Sequence, residues 1–434
     1  MSTDTQVINN QENTIYDNSI EFSKDSIELT KKIEKEVKKK EGIYFTPPTT
    51  IYKNLKFLEP YLKNVKTILE PSCGSCEFIL ALNKLNKKFK ITGIEKNKKI
   101  YEGIKKINSD NIKIINGDFL DYQNIYPDLI IGNPPYFVMK KEEVNNLDSS
   151  YKQYFEGRAN IFIIFIVKCL KMLRENSILN FVVPKSFLNC NYYNKTRKYI
   201  YENFEILNIM ECNDKYIDTS QETIIIIIRK PETNEQTHQY QKNNKEYSLI
   251  INDNTYCIFG TKNNITKLKE LFDNSTSLKK LKINCKVGQI VWNQNKDKLT
   301  NDNNKTLLVY NSNITKNELE LKEFSNDQKK QYIDLKGYTK PMLIINRGNG
   351  VGKYSFNYYL MNQNEEREYL LENHIIKLEY NETIKKSDLI KLYIKIKNSF
   401  ENEKTKKFIK LYFGNNAINT TELNNILPIY GFDL

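Results

Sequence analysis

Residues 68–78 read ILEPSCGSCEF, and this stretch decides how the first half of the chain is interpreted. A short apolar run that ends in a glycine-containing turn, followed by EFILALNKLNKK (77–88), predicts a buried strand, a turn and a helix. The turn also contains Cys73-Gly74-Ser75-Cys76, a CxxC motif. Such a motif serves as a redox pair, as half of a zinc site or as an ordinary ligand-binding turn, so the rest of the chain has to discriminate between these uses.

The alternation of strand and helix patterns continues beyond this stretch. Short runs rich in Ile, Val and Leu are separated by helical segments, which is typical of a parallel sheet covered by helices on both faces. The last two runs have no helix between them, so we expect an antiparallel edge there. The sequence therefore predicts an α/β protein with a Rossmann-like sheet of seven strands, at residues 67–72, 90–97, 112–119, 128–135, 177–184, 205–212 and 223–230.

The pattern divides the chain into three parts. Residues 1–22 are polar, resemble no signal peptide and are expected to be disordered. Residues 23–232 form the predicted α/β domain, which begins with an exposed helix at 23–40 and includes a long helix within 151–175. Beyond 232 a polar stretch predicts a linker, and the remaining residues, 233–434, predict a second domain of mixed α+β character with a helical end.

Composition limits the class of protein further. The net charge is +13, from 66 Lys and Arg against 53 Asp and Glu, which suits a polyanionic partner. Seven cysteines without a repeated spacing indicate a reducing compartment, either a bacterial cytoplasm or a host-cell interior if the source is viral. The apolar segments are too short to span a membrane. No second CxxC exists and the histidines, His238 and His374, stand apart, so we predict no metal site.

Chemistry-bearing residues follow each of the first four predicted strands. Residues 70–74 read EPSCG, Glu95 ends the second strand, Asp118-Phe119 follows the third and residues 133–136 read NPPY. In open α/β sheets the carboxyl ends of the strands form the ligand site. A glycine allows close approach of a ligand, one acid can accept two ribose hydroxyls, and an acid followed by an aromatic residue can bind and cover an adenine ring.

The NPPY sequence is the most specific of these features. Two prolines stiffen a loop and remove two N–H donors, which leaves carbonyl groups available as acceptors. The side-chain oxygen of Asn133 and a loop carbonyl can together accept hydrogen bonds from one amino group, and Tyr136 offers a face for a planar substrate. These bonds draw electron density onto an amino nitrogen that is otherwise delocalised. The motif therefore predicts chemistry on an exocyclic or amide nitrogen.

These motifs resemble those of the γ-type, TaqI-like DNA adenine-N6 methyltransferases, which use S-adenosylmethionine. YFTPP (44–48) before the first strand resembles the N-terminal cofactor motif of that family, and its position there marks the γ order. Within this resemblance the CxxC is the cofactor turn, in which Cys76 replaces a glycine. The resemblance implies that cofactor-binding roles fall to Thr46, Pro47, Glu70, Pro71, Ser72, Cys73, Gly74, Glu95, Asp118, Phe119 and Pro135.

The same resemblance implies the reaction and the catalytic residues. A target adenine in double-stranded DNA would leave the helix and stack between Tyr136 and Tyr216, and its amino group would be methylated. The implied setting is DNA methylation within a restriction–modification system, by a monomer, with a cognate restriction endonuclease as a separate protein left open. The implied catalytic residues are Asn133, Pro134, Pro135 and Tyr136.

The second domain is expected to recognise the DNA target. The segment 277–298 is rich in lysine and contains the single Trp of the chain, which suits phosphate contacts. The segment 343–356 places an arginine and a lysine on a glycine-rich hairpin, and arginine is the usual reader of guanine. The predicted DNA-binding residues are Lys279, Lys280, Lys282, Arg347 and Lys353.

Two alternatives remain open at this stage. NPPY also serves N-methyltransferases that act on guanine in RNA or on a glutamine amide in proteins, because the same hydrogen-bond logic fits any planar amino group. A non-catalytic methyltransferase-like module is disfavoured because every residue of the catalytic loop is present. The short stretch before Tyr44 gives no expectation of a fused nuclease domain.

Overall fold

The computed structural model describes residues 21–123, 126–157, 159–212, 214, 216, 221–232, 237–251, 255–347, 356–364, 366–413 and 418–432. The chain forms two compact units, Met1–Ile265 and Thr266–Leu434. The first unit contains α1 Lys24–Lys32, α2 Lys35–Glu41, α3 Pro48–Leu58, β1 Thr67–Glu70, α4 Glu77–Leu85, β2 Lys90–Glu95, α5 Lys98–Ile104, β3 Ile112–Asn116, β4 Leu129–Gly132, α6 Lys141–Asn146, α7 Ile161–Met172, β5 Ile178–Pro184, α8 Asn194–Asn203, β6 Glu205–Cys212, β7 Thr223–Arg229, α9 Thr237–Tyr247, β8 Ser248–Ile251 and β9 Tyr256–Phe259.

The main sheet of the first unit has the strand order β3-β2-β1-β4-β5-β7-β6. Strands β1 to β5 pair in parallel, whereas β7 runs antiparallel to both of its neighbours, β5 and β6. The predicted seven-stranded α/β sheet is therefore confirmed. The expected antiparallel edge is also confirmed: β6 and β7 pair antiparallel at this edge of the sheet, where β7 inserts between β5 and β6 and leaves β6 outermost.

Burial explains why the central strands are continuous apolar runs. Every residue of β5 is buried, and so are the residues of β7 from Thr223 to Ile228. One face of the sheet packs on α7, whose side chains are buried except at Lys171, and the other face packs on α3, α4 and α5. A parallel sheet covered on both faces favours apolar residues at most strand positions, and fully buried Asn180 of β5 is an exception whose side chain hydrogen-bonds Asn54.

The N-terminal segment differs from its prediction. Residues 23–40 do not form one exposed helix, since α1 and α2 are separate and bury Leu29 and Ile33. Likewise, the helix expected within 151–175 is shorter, and α7 begins after Asn160, whose side chain accepts a hydrogen bond from the Phe162 N–H. The expected disorder of residues 1–22 falls, except for residues 21 and 22, outside the described residues.

The first unit extends past the predicted boundary at residue 232. The polar stretch expected to be a linker contains α9, and fully buried Asn244 binds it to the unit. The Asn244 side-chain nitrogen donates to the carbonyls of Tyr201 and Phe204, and its oxygen accepts from the Ile206 N–H. A polar helix anchored by one buried amide has no apolar periodicity, and for this reason the sequence pattern did not indicate it.

The second unit is mixed α+β, as predicted. Helix α10 Lys262–Phe272 leads into it, and its further elements are β10 Ile283–Val287, β11 Leu299–Thr300, β12 Thr306–Val309, β13 Ile314–Thr315, β14 Glu318–Leu319, β15 Tyr332–Ile333, β16 Met342–Asn346, β17 Tyr358–Met361, β18 Tyr369–Leu371, β19 Ile375–Tyr380, α11 Lys386–Glu401, α12 Glu403–Phe408 and α13 Thr420–Asn425. Its strands form two four-stranded sheets, β10-β19-β16-β17 and β11-β15-β12-β18, and the hairpin β13-β14.

The described residues contain neither a helix that could span a membrane nor a cluster of metal-binding side chains. Within the parts of the chain that the structure describes, no helix has both the length and the apolar character needed to cross a bilayer. In the same residues, no three side chains of His, Cys, Asp or Glu cluster in a way that could hold a metal ion.

Candidate active site

A cavity of about 1130 Å³ opens at the carboxyl ends of the parallel strands of the first unit. Its wall contains the loops that follow β1, β2, β3 and β4, together with the end of α2. The predicted site residues that form its lining are Pro71, Ser72, Gly74, Glu95, Asp118, Phe119, Asn133, Pro135 and Tyr136. Residues from four separate strand ends thus meet at one site, as parallel strands require.

The turn after β1 is held by backbone hydrogen bonds to β2. The Cys73 N–H donates to the carbonyl of Ile94 at 2.9 Å, and the Gly74 N–H donates to Glu95 Oε2 at 2.9 Å. Gly74 has φ +49°, in the left-handed region that favours glycine. A Cβ atom at this residue would lie 3.2 Å from the Phe45 ring, so the turn and residue 45 approach closely.

Glu95 is a buried carboxylate that faces the cavity. Its second oxygen, Oε1, accepts from the Asn97 N–H at 2.7 Å. Each oxygen therefore has one backbone donor and retains acceptor capacity for another. Burial raises the pKa of Glu95 to about 7, although backbone hydrogen bonds from Asn97, Gly74 and Lys96 act in the opposite direction. A ligand that donates hydrogen bonds to this carboxylate would favour its ionised form.

Glu70 lies behind the cavity lining and is 3% exposed. Its Oε2 atom is buried and has no hydrogen-bond partner among the described residues. Burial, followed by the proximity of Cys76 and Glu95, raises the pKa of Glu70 well above its ordinary value. An orphaned carboxyl oxygen is costly unless something fills it, so this position fits a cationic or hydrogen-bond-donating ligand.

Asp118 and Phe119 form the wall after β3. Asp118 Oδ2 pairs with Lys96 Nζ at 2.7 Å, and Asp118 Oδ1 accepts from the Leu120 N–H at 2.9 Å. The ring of Phe119 packs 5.1 Å from that of Phe165, and Lys168 Nζ lies 5.1 Å from its centroid. Phe119 is thus fixed from behind and presents an apolar surface to the cavity.

The loop after β4 carries Asn133. Its side-chain nitrogen donates to the Tyr44 carbonyl at 3.0 Å, which fixes the orientation of the amide. Ser72 Oγ donates to the Asn133 carbonyl at 3.2 Å, so the loop is also tied to the turn after β1. The Asn133 side-chain oxygen is consequently the acceptor end of the amide.

The Tyr136 side chain contacts this acceptor, the side-chain oxygen of Asn133. Its hydroxyl lies within hydrogen-bonding distance of both the Asn133 side-chain oxygen and the Val182 carbonyl, the latter at 2.8 Å. Burial raises the pKa of the Tyr136 hydroxyl well above its ordinary value, so it stays protonated. One hydroxyl hydrogen cannot fully serve two acceptors, and the Asn133 oxygen can therefore take another donor.

Several predicted residues do not form the lining. Tyr216, predicted to stack on the target base, is 7% exposed, and its hydroxyl contacts Thr223 Oγ1 at 3.5 Å. Four others are buried like Glu70 and lie outside the lining: Thr46, Pro47, Cys73 and Pro134.

The sequence patterns missed residues on the opposite wall. Pro184, Ser186, Tyr193 and Gln221 line the cavity there. Tyr193 ends the second of two 3₁₀ turns, Lys185–Leu188 and Asn191–Tyr193, and its ring packs edge-on at 5.0 Å from Phe162. The signal that could have indicated it is NYYN (191–194), which residues 185–190 separate from the predicted fifth strand.

The CxxC thiols are buried in the turn. Cys73 is 4% exposed and Cys76 is 0% exposed, and both are free. A hydrogen bond to Cys76, with burial, raises the pKa of the Cys73 thiol well above its ordinary value. A redox-active cysteine needs an accessible, stabilised thiolate. The motif here therefore belongs to the architecture of the turn.

The predicted DNA-binding residues lie in the second unit. Lys279 and Lys280 are exposed, whereas the ammonium group of Lys282 pairs with Glu382 at 2.6 Å. The backbone N–H of Arg347 donates to Asn311 Oδ1 and to the His374 carbonyl, both at 3.2 Å. Lys353 lies outside the described residues.

The strand order, the single inserted antiparallel strand and a cavity at the carboxyl ends of the parallel strands are those of the Rossmann-like methyltransferase fold. The Eco57I restriction-modification methylase family matches residues 15–217. That part of the chain, slightly less than half of it, is similar to the type II restriction–modification methyltransferases, and the resemblance stated from sequence is confirmed at this level.

Individual relatives are similar to this chain in sequence, and a solved structure shares its fold. Modification methylase CviBIII of Paramecium bursaria Chlorella virus NC1A is 31% identical over 50% of the chain, which spans 58% of that relative. Type II methyltransferase M.CvrRI of Paramecium bursaria Chlorella virus XZ-6E is 26% identical, over 94% of this chain and 99% of the relative. The DrdV–DNA complex shares the fold at 12% identity, with a TM-score of 0.50 over 93% of this chain and 57% of that chain.

Proposed function

We propose that this protein is a site-specific DNA methyltransferase that uses S-adenosylmethionine to methylate the N6 amino group of adenine in double-stranded DNA. The observation that carries the proposal is the fixed amide of Asn133, whose oxygen is an acceptor beside the cavity. DNA as the substrate class is supported by the relatives, which are type II methyltransferases. Adenine is supported by the NPPY loop and by the position of YFTPP before β1.

The cofactor side of the cavity suits the proposed methyl donor. Glu95 can accept from ribose hydroxyls, and Glu70 can compensate an ammonium group through its orphaned oxygen. Asp118 can accept from an adenine amino group, and Phe119 can cover the ring. When bound, S-adenosylmethionine supplies an electrophilic methyl group on its sulfonium.

The residues of the target side would act on the amino nitrogen of the substrate. Asn133 Oδ1 and a loop carbonyl accept hydrogen bonds from its two N–H groups, which raises electron density on the nitrogen. No base is needed beforehand, since the proton becomes acidic only after the nitrogen is alkylated. Extruding the base costs a few kcal/mol, and stacking worth about 1–3 kcal/mol per base on Tyr136 and a second aromatic residue can offset it.

The second unit, in this proposal, reads the target sequence. Exposed Lys279 and Lys280 can contact phosphates, and Arg347, at the end of β16, can reach a base edge. Lys282 would contribute less, because Glu382 already neutralises it. Each phosphate contact removed should lower the slope of log affinity against log salt by about 0.9.

The test is transfer of labelled methyl groups to duplex DNA, structured RNA and protein. Label in DNA that is lost in Asn133→Ala, and retained in the exposed control Asn86→Ala, supports the proposal. Label in RNA or protein would keep the fold and replace the substrate. Cofactor binding without any transfer would indicate a non-catalytic module.

A further inference from the structure

The stretch before the TPP motif contacts both ligand-binding loops of the first unit. Residues 42–45, here called the bridging segment, connect α2 to Thr46. Phe45 packs against Gly74 in the turn after β1, and the Tyr44 carbonyl accepts from the Asn133 side chain. The same four residues therefore touch the cofactor turn at one end and the catalytic loop at the other.

The start of the bridging segment lies directly against the backbone of the catalytic loop. Gly42 ends α2 in the left-handed conformation, φ 67° and ψ 32°. A Cβ atom added there would lie 2.5 Å from the Tyr136 backbone nitrogen and 3.0 Å from its carbonyl carbon. Both atoms are backbone and cannot rotate away, so only a residue without a side chain permits this approach.

The contact at Tyr44 decides which end of the Asn133 amide acts as the acceptor. A primary amide has a donor end and an acceptor end of nearly equal size. The Tyr44 carbonyl accepts only the donor end, and the side-chain oxygen is then left for an amino group. A rotated amide would present N–H groups to the amino group of the substrate, and two sets of donors would oppose each other.

We propose that the bridging segment is a positioning element for the reaction, in which Gly42 allows the Tyr44 carbonyl to reach Asn133 and to fix its amide for catalysis. The proposal rests on the proposed function, since the role of Asn133 derives from it. Thr46, in the adjacent motif, has an expected role in cofactor binding, whereas Gly42 and Tyr44 act on the catalytic loop through backbone contacts.

The kinetic test uses Gly42→Ala. A Cβ at 2.5 Å requires a displacement of about 1 Å, which is enough to cost on the order of 100-fold in rate when catalytic geometry depends on it. We expect that loss in kcat, larger than any rise in the KM for DNA that displacement of Tyr136 causes, with the Kd of the cofactor unchanged. Gly431→Ala is the matched control, because Gly431 has φ +82° with no atom within 4 Å of an added Cβ.

A second variant separates positioning from general destabilisation. Asn133→Asp keeps the acceptor oxygen and removes the donor to Tyr44. If Gly42 acts through that bond, adding Gly42→Ala to Asn133→Asp should lower kcat no further. A repeated loss of about 100-fold in the double variant would overturn the proposal.

A spectroscopic measurement makes the test independent of activity. The side-chain amide signal of Asn133 can be assigned in a ¹H–¹⁵N spectrum by its disappearance in Asn133→Asp. It should shift in Gly42→Ala and stay in place in Gly431→Ala, and an unchanged signal in Gly42→Ala would contradict the proposal. If the wild type methylates no DNA while the signal still depends on Gly42, the proposed function fails and the positioning of Asn133 stands.

Discussion

The two sides of the cavity differ in how their polar groups are satisfied. On the cofactor side, Glu95 is anchored by two backbone N–H groups, and Glu70 keeps a buried oxygen without a described partner. On the target side, Asn133 and Tyr136 bind each other, and Tyr136 also contacts the Val182 carbonyl. The first arrangement is prepared for a ligand, whereas the second must exchange an internal hydrogen bond for one to its ligand.

The two sides therefore differ in how much affinity a bound ligand gains from their polar groups. Burying carboxylates without a cation is unfavourable, so a ligand that supplies donors and positive charge gains affinity from the relief. The Asn133 oxygen loses one partner and gains another, so a substrate amino group gains little affinity there. In the proposed reaction, its bond to Asn133 would act instead on the reactivity of the nitrogen.

The largest expected effect is on the cofactor side. Glu95→Gln removes the charge and half of the acceptor capacity that anchors the turn at Gly74. Hydrogen bonds to charged groups contribute about 1.5–3 kcal/mol, so cofactor Kd should rise on the order of 100-fold. Calorimetric titration measures it, with exposed Glu102→Gln as the control. Equal affinities in the two variants would remove Glu95 from the cofactor site.

Tyr193 and Tyr216 are the two candidates for the second aromatic residue that stacks on the target base. Tyr193 lines the cavity and Tyr216 does not, so Tyr193→Ala should raise the KM for DNA about 30-fold, within the range of one stacking interaction. Tyr216→Ala should change this KM less. Steady-state kinetics decide between them, and a larger effect at Tyr216 would restore the sequence-based assignment.

The affinity for the cofactor should depend on pH. The pKa of Glu95 is raised to about 7 by burial, and binding favours the ionised carboxylate. Affinity should therefore increase with pH, by about tenfold between pH 6 and pH 8, as one proton is released on binding. Glu70, whose pKa is also raised, acts in the same direction.

The stability of the unliganded protein should respond in the opposite sense. A carboxyl group with a raised folded-state pKa stabilises the fold at low pH, and this contribution is lost as pH rises through about 7. Thermal unfolding of wild type and Glu95→Gln, followed with pH, isolates the contribution. A pH-independent difference between them, or an affinity that falls with pH, would contradict the account of this side.

The smallest effect is expected at the CxxC. Cys73 and Cys76 are buried, and the raised pKa of Cys73 disfavours its thiolate, whereas Cys190 is half-buried. A thiol reagent applied to the native protein should modify Cys190 before either residue of the motif. Peptide mass spectrometry locates the label, and early modification of Cys73 would reopen the redox interpretation.

Local sequence predicted one side of the cavity better than the other. Glu95, Asp118 and Asn133 each follow an apolar strand within a few residues, and parallel pairing alone brings strand ends together. The seven strands were therefore predictable, and so were most of the cofactor-side residues. Their roles in binding and catalysis stay predictions.

The remaining features depend on contacts between distant residues. Tyr193 reaches the cavity through packing on Phe162, and no periodicity marks its 3₁₀ turn. The insertion of β7 between β5 and β6 is a pairing choice, and α9 is held to the first unit through hydrogen bonds of buried Asn244. Single polar anchors of this kind leave no repeating pattern in the sequence.

The proposed reaction requires that Asn133 activates the amino group of adenine in DNA. The most direct measurement is incubation of the protein with duplex DNA and labelled S-adenosylmethionine, followed by digestion and separation of the nucleosides. We expect label in N6-methyl-2′-deoxyadenosine with the wild-type protein and no label with the Asn133→Ala variant. Label in a methylated cytosine, or in adenine regardless of Asn133, would contradict it.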